Sequence, residues 1–126
     1  MVCQTTKRDR ENLDLEIERL SAIATGVHLA RDLGNEPANR LYPEEFGRRA
    51  KDWAKGKKNV EVEVWDFSRL KEEGMHGLIE VGKGSIHKPC MVFFRLNPNL
   101  DTEKQVPCIV GKGITFDSGG ISIKGS

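Results

Sequence analysis

The sequence has no excess of either charge: 20 lysines and arginines nearly cancel 19 aspartates and glutamates, leaving a formal +1. Domains that grip nucleic acid usually show a pI above about 9, so that class of partner is not expected. Nor is there an apolar run of the roughly 18 or more residues needed to span a bilayer, and no membrane association is expected. The opening residues, MVCQTTKRDRENLD, pass from polar to highly charged and lack the apolar core of a secretory signal. Cysteine is scarce. Cys3, Cys90 and Cys108 are odd in number and far apart, which suits a reducing compartment better than a disulfide framework. No CxxC pair and no close His–Cys spacing is present, which argues against a cysteine zinc site. Internal repeats and low-complexity segments are also missing. Together these absences describe a soluble protein with the cytoplasm as its expected address.

What is present reads as regular secondary structure. At 126 residues the chain is long enough to bury a core. Leu13, Ile17, Leu20, Ala24 and Val27 recur at alternating spacings of four and three, which predicts a long amphipathic helix packed on a sheet. Gly34 and Pro37 supply its stop. Pro43 opens a second helix, with Glu44 and Glu45 set favourably against its dipole and Phe46, Ala50 and Trp53 as its core face. The lysine-rich turn Lys55–Asn59 closes it and reads as a solvated surface. Val60, Val62 and Val64 alternate with Glu61 and Glu63, the pattern of a half-buried strand. A short helix over Phe67–Glu73 ends at Gly74. Met91–Leu96 and Val106–Val110 are short apolar runs bounded by turn signals and predict strands buried on both faces. Cys90 and Cys108, beside those runs, are expected as small core residues. Alternating helices and strands give an α/β fold class.

Chemistry-bearing residues concentrate after the last apolar run, in Gly111-Lys112-Gly113-Ile114-Thr115-Phe116-Asp117-Ser118-Gly119-Gly120-Ile121-Ser122-Ile123-Lys124. In open α/β sheets, ligands bind beyond the carboxyl ends of the strands. Four glycines permit tight turns and close approach to a ligand, and two lysines and one aspartate are spaced among them. On spacing alone two readings stay open: a functional loop, or a glycine-rich surface turn with incidental charges.

The run VGKGITFDSGGISIK resembles the signature segment of the leucine (cytosol) aminopeptidase family nearly letter for letter. The stretch Ala30–Leu41 and the looser pair Gly74–Leu78 and Val81–Ser85 are similar to two further blocks of that family, in the same order. The resemblance implies a partial three-layer helix–sheet–helix catalytic domain, truncated here, with residues 1–34 as a linker helix and 35–126 as the first part of the domain. It implies Lys112 as a metal ligand, Asp117 as a carboxylate bridging two metals, and Lys124 as the catalytic lysine, with Gly111, Gly113, Ser118, Gly119 and Gly120 supporting the loop. The cofactors implied are two divalent ions, manganese or zinc, with magnesium or cobalt also suited to an aspartate oxygen. A ligating lysine must be neutral, which burial beside a dication would favour. A charged Lys124 would stabilise an oxyanion forming on the scissile carbonyl. The implied reaction is hydrolysis of the first peptide bond of peptide substrates by metal-activated water, in an enzyme that forms homo-hexamers.

The sequence also departs from the family pattern. The resemblance implies a further metal-binding aspartate, a later block carrying an aspartate, a glutamate and a catalytic arginine, and an N-terminal domain, and these 126 residues are not expected to include them. The 126 residues are therefore expected to hold metal poorly and to be inactive alone. Glu80 stands where relatives usually have a small or apolar residue. Two rival functions compete with this reading. One is a non-catalytic, family-like scaffold or assembly protein. The other is a nucleotide-binding module, since Gly77–Lys83 has phosphate-loop spacing; Gly84 follows where a serine or threonine belongs, and bulky Leu78, Ile79 and Val81 fill the loop. His28, His76 and His87 lack ligand-like spacing and read as surface or hydrogen-bonded residues.

Overall fold

The computed structural model describes residues 7–99 and 106–115. Its chain divides into two units, Met1–Glu36 and Pro37–Ser126.

The first unit is one helix, α1 (Lys7–Asn35), about 43 Å long at about 1.5 Å per residue. It runs through Gly34 and stops before Pro37, so proline rather than glycine marks its end. Thr25 donates its hydroxyl to the Ser21 carbonyl oxygen at 2.8 Å, a local bond that keeps this side chain tied to its own helix. The expected core face is not covered: Leu13 is 52% exposed, and Ile17, Leu20 and Val27 are similar. Leu15 and Leu29 are exposed as well. At about 100° per residue they fall on the side opposite Leu13. The helix thus carries apolar side chains on two faces, which is why its amphipathic character is weaker than the 4–3 spacing suggested.

The second unit is built on an antiparallel strand pair. β1 (Val60–Trp65) pairs with β2 (Met91–Leu96) in the register Val60↔Leu96 to Trp65↔Met91. Because strand side chains alternate, Val60, Val62 and Val64 share a face with Leu96, Phe94 and Val92. The other face carries Glu61, Glu63 and Trp65 with Arg95, Phe93 and Met91. There Arg95 pairs with Glu61 at 3.4 Å and Glu63 at 3.0 Å. The Trp65 indole donates to Glu63 at 2.7 Å and its ring meets Phe93 at 4.7 Å.

Helix α2 (Pro43–Ala54) lies against both strands on the valine face. Pro43 begins it and Glu44 and Glu45 occupy its first turn, as the sequence predicts. Gly47 is buried where the helix approaches β1: a Cβ there would stand 2.9 Å from a Val64 methyl. Trp53 is a correction. It is 40% exposed at the rim, edge-on to Phe94 at 6.1 Å, with the Lys57 ammonium over its ring at 4.6 Å. The outer face of α2 carries a charge ladder, in which Arg48 grips Glu45 with two nitrogens at 2.7 Å and Arg49 adds a third contact at 2.7 Å.

Those two guanidiniums, Arg48 first, hold the Glu45 pKa at about 2, down from 4.5. A carboxylate depressed on folding adds stability above its unfolded pKa, and that stability is lost as pH falls through the folded value. The group is at the surface, so its share is small and screened by salt. Glu45→Gln is therefore expected to flatten the fall in urea midpoint between about pH 4.5 and pH 2, with little change in its slope above pH 5. An unaltered acid limb would contradict this.

After β1, Asp66 caps α3 (Phe67–Glu72) by accepting the Arg69 amide at 2.9 Å. Gly74, at φ +67°, reverses the chain, and the Met75 amide returns to the Leu70 carbonyl at 2.9 Å. α4 (His76–Gly82) follows and packs on α3, which also contacts β1. Leu70 is fully buried, with Leu41 and Ala50 nearly so. Gly82 admits no side chain, since an added Cβ would lie 2.7 Å from the Pro89 ring, whereas Gly77 in the same helix has open space. Gly82→Ala is expected to lower the thermal midpoint and Gly77→Ala to leave it unchanged or raise it. The gain at Gly77 comes from helix propensity and is at most about 1 kcal/mol. Equal effects of the two changes would show that the Pro89 contact does not matter.

Two expectations about strands are corrected. Met91–Leu96 is a strand, but it is antiparallel, and its second half is exposed rather than buried on both faces. Val106–Val110 forms no strand, and Ile109 is 97% exposed. An apolar run becomes a buried strand only beside a neighbour that satisfies its backbone, and among the described residues no strand pairs with it. Cys108 is accordingly exposed and Cys90 only half-buried. No helix among the described residues is long and apolar enough to cross a membrane.

Candidate functional site

Of the residues singled out in the sequence, Gly111, Lys112 and Gly113 are described. They lie in an exposed stretch without regular secondary structure, continuous with Val106–Val110. A Cβ added at either glycine would meet nothing within 4 Å, so no close approach in this structure requires them to be glycine. Asp117, Ser118, Gly119, Gly120 and Lys124 lie outside the described residues.

The donor chemistry can still be counted. Lys112 offers one nitrogen and Asp117 two oxygens, whereas two zinc-like ions at four ligands each need about seven or eight positions. Among the described residues no group of three histidine, cysteine or acidic side chains is placed to hold a metal. His28 is exposed on α1. His87 stacks on Tyr42, with ring centroids 3.9 Å apart, and lies 3.7 Å from the Glu44 carboxylate. Glu44 in turn accepts the Lys88 amide at 2.8 Å, which ties the loop before β2 to the start of α2. This cluster is a brace between segments more than 40 residues apart, and no local spacing announced it. Among the described residues no set of side chains forms a two-metal centre.

Other chemistries fare no better among the described residues. Cys90 donates its thiol to the Pro43 carbonyl at 3.0 Å, and burial, reinforced by the Glu44 charge, pushes the thiol pKa up. It is held protonated, the opposite of an activated nucleophile. The phosphate-loop reading of Gly77–Lys83 is excluded, because α4 occupies that stretch. The Ile79 and Lys83 amides donate within the chain, to Met75 and Ile79, and the Lys83 ammonium pairs with Glu80. With the Ile79 and Lys83 amides taken up by helical bonds, the stretch is not the open amide-lined loop that cradles a phosphate.

Sequence comparison supplies what the geometry leaves open, and it points first to a class, the peptidases that remove residues from peptide N-termini. The catalytic-domain profile of the cytosol aminopeptidase family matches residues 28–126. The chain belongs to that family. It is 48% identical over 103 residues to a probable cytosol aminopeptidase of Methylorubrum extorquens, covering 82% of this chain and 20% of that one. It is 44% identical over 119 residues to the probable cytosol aminopeptidase of Phytoplasma mali, covering 94% and 24%. A third, from Pseudomonas fluorescens strain SBW25, is 40% identical over 120 residues, covering 95% and 24%. The chain thus spans about a fifth to a quarter of the length of the curated relatives it matches. No solved structure gives a significant match.

Proposed function

We propose that the 126 residues are part of a two-metal leucyl aminopeptidase that removes N-terminal amino acids from peptides. The observation that carries this is the segment Val110–Lys124, whose lysines, aspartate and glycines stand in the family's order, within a chain 48% identical to a named relative over 103 residues. On this reading residues 1–34 are the linker helix and 35–126 the first part of a three-layer helix–sheet–helix catalytic domain, acting in the cytoplasm as a homo-hexamer.

Lys112 and Asp117 would contribute to holding two divalent ions, manganese or zinc, which supply Lewis acidity and an activated water when bound. Two such ions need more donors than these two side chains offer, and on this reading further parts of the parent enzyme supply them. Lys124 has a role that needs no further donor. An ammonium aimed at the scissile carbonyl strengthens its attraction as negative charge develops on the oxygen, so it favours the transition state over bound substrate. Gly111, Gly113, Ser118, Gly119 and Gly120 would let the loop fold closely around these groups. The 126 residues alone should show little metal affinity and no turnover.

The test is a chimera in which residues 24–126 replace the matching segment of the Methylorubrum extorquens relative, assayed on a leucyl anilide with and without a chelator. Activity restored by added manganese or zinc, with none from the 126-residue chain, is expected. A chimera that folds and assembles yet never hydrolyses the substrate would overturn the enzymatic reading in favour of a family-like scaffold.

A further inference from the structure

We draw no further inference here: the strongest candidate, the apolar stripe along α1 formed by Leu13, Ile17, Leu20 and Val27, carries nothing because no feature of the structure shows what covers it.

Discussion

Replacing Asp117 with alanine in the chimeric aminopeptidase is expected to abolish metal-dependent hydrolysis of leucyl substrates and to lower bound metal at the same time. Partners that only orient a metal ligand typically cost about 10–100-fold in affinity or activity when removed. A carboxylate shared by two ions is a direct ligand of both, so its loss should exceed that range. Glu72→Ala, which removes an exposed carboxylate at the end of α3, serves as the control and should change neither readout. Elemental analysis of the purified protein separates a lost site from a lost fold, with circular dichroism reporting the fold. Activity within tenfold of the parent, at full metal content, would remove Asp117 from the proposed centre.

The second large effect concerns stability. Leu70→Ala is expected to destabilise the chimera by about 2–5 kcal/mol, the usual range for truncating a buried leucine. Among the described residues Leu70 is the one large side chain that is fully buried, in a helix that contacts both α4 and β1. Its carbonyl also receives the Met75 amide that closes the α3–α4 turn. Stabilities of whole domains are only about 5–15 kcal/mol, so a loss of this size should show directly in the melting curve. Leu70→Met, which keeps most of the volume, should cost less than about 1.5 kcal/mol. If both variants melt alike and close to the parent, Leu70 is not the keystone its burial suggests.

The elements most legible in the sequence were those whose signals are local. Pro43 with two glutamates behind it fixed the start of α2, strict alternation of valine and glutamate marked β1, and Gly74 marked the end of α3. α4 was missed because His76–Gly82 holds two glycines in seven residues, a composition that argues for a loop. It forms because Leu70 and the α3–α4 contact favour it, a tertiary effect invisible to propensity. Val106–Val110 erred the other way: it has strand composition, but a strand also needs a partner. For the candidate site, what was readable is the family resemblance of the Val110–Lys124 segment that holds Lys112 and Asp117, and the family match agrees with that resemblance. Their spatial relation was not readable, because glycines on both sides of Lys112 and Asp117 leave the backbone conformation between them open.

The contact between Gly47 and Val64 bears on how sequences of this kind can drift. The 2.9 Å clearance leaves room for a hydrogen and nothing larger, so the helix sets its height above the strand by this single gauge. The same helix end is fastened to the segment leading into β2 through Glu44 and Cys90, which denies it freedom to rise. A methyl gained at 47 can then be accommodated only by carbon surrendered at 64, and the two positions should wander together or stay still.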